Sequence, residues 1–221
     1  MIFSIPDLLS ADAVSSLVER LEAAEAANGI VAGKTTAGWH AKTVKNNQQL
    51  ASEPAAPLIE EVRQTLLKHP LFKAAARPKC IHTVRFNRYA DGMHYGRHTD
   101  NALMNGYRSD LSFTLFLSGP ETYEGGALTV EGLDSEQPYR LPAGSVIVYP
   151  SSSLHRVDPV TLGVRWAAIG WVQSQIRDHG QREILFELDT VRRSLFKQYG
   201  KTNEFDLISK SLSNLLRQWV E

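Results

Sequence analysis

The sequence predicts an α+β protein whose antiparallel sandwich or jelly roll is preceded and followed by helices. Three observations carry this expectation. Apolar residues recur at the 3.6-residue period near both ends of the 221-residue chain, short alternating or β-branched segments fill its middle, and turn signals rather than helical stretches separate those segments. A composition that is 43% apolar is enough to fill a sizeable core.

The elements follow in order. Val14, Leu17, Val18 and Leu21 lie on one helical face, with Ser10 or Asp12 available as a cap and Gly29 as a stop. Lys34 to Gln49 is polar and lacks either period, so a long loop or edge segment is expected. Leu58, Val62 and Leu66 predict a second helix over Pro54 to His69, which Pro70 stops. The predicted strands are His82 to Tyr89, Asp110 to Ser118, Ala127 to Glu131, Ser145 to Tyr149, Leu154 to Asp158 and Val164 to Gln173. Two amphipathic helices, Asp178 to Gly200 and Asn203 to Val220, close the chain. These carry no ligand-type cluster, so they are assigned to packing and assembly, with a homodimer as one assembly consistent with them.

Composition excludes several classes of function. Lys plus Arg number 24 and Asp plus Glu number 24, so the basic stripe that binds phosphate backbones is missing and no nucleic-acid partner is expected. Cys80 is the single cysteine and has no internal disulfide partner. Met1 to Asp7 lacks the charged and apolar regions of a signal peptide, and no apolar run approaches the roughly 20 residues that span a bilayer. A cytoplasmic protein without membrane attachment is expected.

One constellation points to chemistry. His98 and Asp100 stand two residues apart on an extended segment and so project from the same face. His155 lies 57 positions later on another predicted strand. Two histidines and a carboxylate form the facial set that leaves positions open on non-haem iron(II). A His-x-Asp pair alone is more often a surface hydrogen-bonding pair, and His40, His69, His82, His94 and His179 are read as structural. Arg165 separates the two cases: it stands in Val164 to Val172, a strand apolar on both faces, where a charge that cannot be lost needs an anionic partner. That partner is either an internal Asp or Glu or a bound dicarboxylate gripped at its far end. Arg85, Arg88, Arg97 and Arg108 fit either an anion-friendly site or a solvated surface.

The run Tyr89 to Asp100, the pair Gly125-Gly126, the segment Leu141 to Pro150 and His155-Arg-Val-Asp-Pro-Val160 followed by Arg165 resemble the iron(II)/2-oxoglutarate dioxygenases of the prolyl hydroxylase type. Val44 to Gln49, Pro150 to His155 and Leu185 to Asp189 resemble the bacterial PKHD-type hydroxylases, some of which are associated with iron uptake. The likeness covers nearly the whole chain.

The resemblance implies a double-stranded β-helix, the jelly-roll core, over residues 78–174. Residues 1–77 then form an N-terminal helical support region with a long loop, and 175–221 a C-terminal helical extension. It implies that His98, Asp100 and His155 hold Fe(2+), that Arg165 binds the distal carboxylate of 2-oxoglutarate, and that Tyr89 hydrogen-bonds the same cosubstrate. It also implies molecular oxygen as co-reactant, L-ascorbate as the reductant that keeps iron reduced, and a small-molecule or peptidyl substrate hydroxylated while 2-oxoglutarate becomes succinate. Collagen-type members carry lysine where this chain has Arg165, a departure that counts against a collagen-like substrate. The alternatives are a cupin-like metalloenzyme, disfavoured by Arg165, and a non-catalytic jelly-roll sensor of iron or 2-oxoglutarate.

Overall fold

The computed structural model describes residues 1–36, 39 and 41–221, the side chain of Thr36 excepted, so His40 lies outside the described residues. The strands in chain order are β1 (Phe3–Ile5), β2 (Ile30–Ala32), β3 (Lys45–Asn46), β4 (Gln48–Leu50), β5 (Pro78–Tyr89), β6 (His94–His98), β7 (Leu103–Met104), β8 (Tyr107–Arg108), β9 (Leu111–Phe116), β10 (Tyr123–Gly125), β11 (Leu128–Glu131), β12 (Glu136–Tyr139), β13 (Val146–Pro150), β14 (His155–Val157), β15 (Val160–Gly163) and β16 (Arg165–Ser174). The helices are α1 (Ala11–Ala26), α2 (Ser52–Lys68), α3 (Pro70–Ala76), α4 (His179–Tyr199) and α5 (Asn203–Trp219).

Caps set several helix ends where the sequence places them. The Ser10 side chain accepts from the Ala13 amide, Asp178 from Gln181 and Thr202 from Phe205, each satisfying an otherwise orphaned N–H. Gly200, at φ 72°, ends α4. Pro70 stops α2, but it also starts α3, which the sequence reading does not anticipate. His69 takes an extended backbone and Pro70 occupies the first helical turn, where its missing N–H costs nothing.

Among the described residues, a seven-stranded antiparallel sheet runs β1-β13-β9-β16-β5-β4-β2, opposed by a five-stranded sheet in the order β12-β11-β14-β6-β3. The predicted jelly roll is present. The larger sheet is covered on both faces, so β9 is buried along its whole length and β16 along most of it. On its outer side Leu17 and Leu21 of α1, Leu58, Val62 and Leu66 of α2 and Phe72 of α3 pack with Phe86, Phe113, Leu115 and Trp166. Leu66 is completely buried, so Leu66→Ala should cost about 2–5 kcal/mol. On the inner side Tyr89, Phe116, Ile147 and Tyr149 meet Leu128, Val130, Val157 and Val160.

The polar stretch expected as a loop or edge segment supplies two strands, β3 at the edge of the smaller sheet and β4 between β5 and β2 in the larger one. β3 pairs with β6 and β4 pairs with β5, so residues 45–50 cross from one sheet to the other. β1 likewise adds to the larger sheet by pairing with β13. The region before residue 78 therefore contributes strands to the sheets as well as helices. At the other end, α4 and α5 bury Leu185 and Leu212 together with Ile176, and Trp219 packs against them.

Candidate active site

The register of the smaller sheet brings the candidate ligands together. β14 pairs with β6 so that His155 lies opposite His98, and the chain leaving β6 carries Asp100 beside both. His98 Nε2 is 4.0 Å from Asp100 Oδ1, and His155 Nε2 is 3.8 Å from Asp100 Oδ2. All three ligand-type atoms lie within 4.8 Å of one another, an arrangement that could hold one metal ion.

The surroundings fix these side chains. His98 Nδ1 is 2.8 Å from the Gly96 carbonyl, and His155 Nδ1 is 3.0 Å from the Ser153 carbonyl. A carbonyl only accepts, so each Nδ1 donates and each Nε2 keeps its lone pair facing the centre. Ser112 Oγ donates to Asp100 Oδ2 at 2.6 Å. Tyr95 stacks on His98 at 3.6 Å between centroids, and Tyr149 meets His155 edge-on at 5.1 Å. Burial, together with the neighbouring His155, pushes His98 below the usual imidazole range, which keeps it neutral as a ligand must be.

Arg165 is 1% exposed. Its guanidinium lies 5.3 Å from the ring centroids of both Tyr89 and Phe116, in an aromatic cradle. No described carboxylate pairs with it, and its Nε and Nη2 atoms are buried without a hydrogen-bond partner. The internal salt bridge left open by the sequence is therefore absent among the described residues. Gly126, at φ 61°, lets the backbone approach closely, because a Cβ there would lie 3.0 Å from Arg165 Cδ. Tyr89 is the Cα partner of Arg165 across β5 and β16. Burial pushes its hydroxyl pKa up, so it stays protonated, although the Arg165 charge acts in the opposite direction.

One pocket is lined by all three candidate ligands and by Tyr89. The other arginines of the region divide clearly. Arg88 pairs with Glu25, Arg97 with Glu131, and Arg108 with Asp110 and Glu221, whereas Arg85 lines the pocket. His94 and His82 stay outside the cluster: His94 Nδ1 faces the Gly92 carbonyl and His82 stacks on Tyr107.

Sequence reasoning missed Ser112, Tyr95, Lys45 and Asn47. Residues 45, 47 and 49 turn inward while 46 and 48 turn outward, but the run Lys45 to Gln49 is polar throughout, so no period in the sequence marks the inward face. Asn47 is buried beside the Tyr89 hydroxyl, and its amide atoms make no hydrogen bond of proper geometry.

The chain resembles known proteins over its whole length. The sequence profile of the 2OG-Fe(II) oxygenase superfamily matches residues 84–173. A PKHD-type hydroxylase of a Picosynechococcus strain is 60% identical over 223 residues, and one of Acaryochloris marina 57% identical, each covering 100% of both chains. A Pseudomonas putida prolyl-4-hydroxylase shares the fold with a TM-score of 0.59 at 20% identity, covering 78% of this chain and 92% of its own. A Trichoplax adhaerens prolyl hydroxylase, solved with a hypoxia inducible factor peptide, gives a TM-score of 0.63 at 13% identity over 83% and 86%. No helix among the described residues is long and apolar enough to cross a membrane. Full-length identity to these relatives and the superfamily match over the jelly roll mean that the chain belongs to the PKHD-type hydroxylases, and is an iron(II)- and 2-oxoglutarate-dependent dioxygenase.

Proposed function

We propose that His98, Asp100 and His155 hold the iron, and that Arg165 with Tyr89 holds the distal carboxylate of 2-oxoglutarate. The observation that carries the reading is the Arg165 guanidinium, fully buried with two unpartnered nitrogen atoms. A charge so placed is costly unless an anion joins it. A carboxylate presented to Nε and Nη2 supplies two parallel charge-assisted hydrogen bonds. The donor set fits as well, since two neutral imidazoles and one carboxylate are the facial set of non-haem iron(II).

Bound iron supplies oxygen activation coupled to decarboxylation of 2-oxoglutarate to succinate, which hydroxylates the substrate. This chain's residues do the rest. Ser112 and the Gly96 and Ser153 carbonyls orient the three ligands, Tyr95 and Tyr149 wall off the imidazoles from water, and Arg165 sets the angle of the cosubstrate. The Tyr89 hydroxyl, kept protonated, donates to the same carboxylate. L-ascorbate as external reductant, a small-molecule or peptidyl substrate, and the cytoplasm as compartment complete the proposal, supported by the family likeness and the single cysteine. Functionally the chain divides into 1–77 as support, 78–174 as the catalytic jelly roll and 175–221 as a helical extension.

Anaerobic addition of iron(II) and then 2-oxoglutarate tests the site. A metal-to-ligand charge-transfer band is expected, and oxygen should then release succinate. No band overturns the site assignment, whereas a band without succinate under any substrate screened favours the sensor.

A further inference from the structure

Residues 45–50 run between the two sheets, and the three side chains that face inward are polar. Lys45, Asn47 and Gln49 are only 6%, 5% and 2% exposed. Gln49 is matched by Asn87, whose Oδ1 accepts from Gln49 Nε2 at 2.6 Å. Lys45 has no such match. Its ammonium lies 4.9 Å from the Tyr95 ring centroid and makes no ion pair or hydrogen bond with a described residue. Burial lowers its pKa to about 8, the nearby Arg85 charge pushes the same way, and Asp100 opposes them.

Arg85 lines the same pocket as Lys45, with its guanidinium 5.5 Å from the Trp171 ring centroid. Two cations thus share the pocket near the candidate metal ligands. They cannot serve the carboxylate assigned to Arg165. Along β5 and β16 the pair Tyr89/Arg165 and the pair Arg85/Ile169 are four residues apart, a separation of about 13 Å. Asp100 belongs to the second level, since Ser112, which holds it, is the Cα partner of Trp171.

A buried ammonium that lacks a carboxylate partner is stabilised when an anion binds beside it.

We propose that the substrate hydroxylated here is an oxyanion, a carboxylate or phosphate held between Lys45 and Arg85, with its apolar part toward Ile169 and Met104. This deepens the iron and 2-oxoglutarate reading and rests on it.

The test uses zinc(II)-loaded protein with saturating 2-oxoglutarate, so that nothing turns over. Hexanoate, pentyl phosphate and the neutral hexanamide are titrated by ligand-observed NMR. At least one anion should bind tenfold or more tighter than the amide without displacing 2-oxoglutarate, and the anion preferred identifies the headgroup. Lys45→Gln should cut the preference to within twofold, and Lys45→Arg should restore most of it. Equal binding of anions and amide by the unaltered protein, or no anion binding, overturns the proposal whatever the variants do. Displacement of 2-oxoglutarate, which places the anion at Arg165, also overturns it, as does a preference that survives in Lys45→Gln. If 2-oxoglutarate itself fails to bind, the underlying reading falls first, and this proposal with it.

Discussion

Ser112 Oγ donates a 2.6 Å hydrogen bond to Asp100 Oδ2 and lies 2.8 Å from Ser151 Oγ. Its one proton is committed to the carboxylate, so Ser151 must donate to Ser112. A strand of the larger sheet thereby fixes a carboxylate that stands beyond the end of a strand of the smaller one. Ser112→Ala should weaken iron binding about 10- to 100-fold, as loss of a group orienting a ligand does. Metal titration of the purified variant checks this, and unchanged affinity would mean that Asp100 is held by the backbone alone.

His98→Ala, Asp100→Ala and His155→Ala should each abolish turnover and lower iron affinity by roughly 100-fold or more, because two ligands cannot complete a facial set. Iron content after dialysis and succinate release are the measurements. Near-normal activity in all three would remove the assignment.

Arg165→Met should raise the 2-oxoglutarate concentration needed for half-saturation about 100-fold, roughly 3 kcal/mol for two charge-assisted hydrogen bonds. Iron affinity should change less than about threefold, since the guanidinium is expected to touch only the far carboxylate. Without ligands the variant should be at least as stable as the parent, because an unpaired buried charge has gone. Arg165→Lys should recover part of the affinity, keeping the charge but not the planar fork. An equal loss of iron binding in Arg165→Met would make the residue structural.

Lys45→Met should stabilise the metal-free protein at pH 7. The folded-state pKa of about 8 lies below the ordinary lysine value of 10.5, so at pH values between them the unfolded chain holds a proton that the folded chain has released. Stability of the parent should therefore rise with pH across that window. The advantage of Lys45→Met, up to about 3 kcal/mol below pH 8, should fade toward pH 10.5. Urea unfolding at pH 7 and pH 10 measures the difference, and a gain independent of pH would show that packing, not charge, is responsible.

Much of the architecture is legible without coordinates, because helix periods, caps and strand alternation depend on residues adjacent in the chain. Ser10, Asp178 and Gly200 announce their helix ends in this way. The spacing of His98, Asp100, His155 and Arg165 is equally visible. Elements of two or three residues are not, since β1, β3 and β4 are too short to display a period and exist only through the partners that pair with them. Only the tertiary structure brings His155 opposite His98, leaves Arg165 buried without a carboxylate partner among the described residues, and places Lys45 and Arg85 in one pocket. Sheet register and burial decide those relationships, and both arise from pairings between segments far apart in sequence.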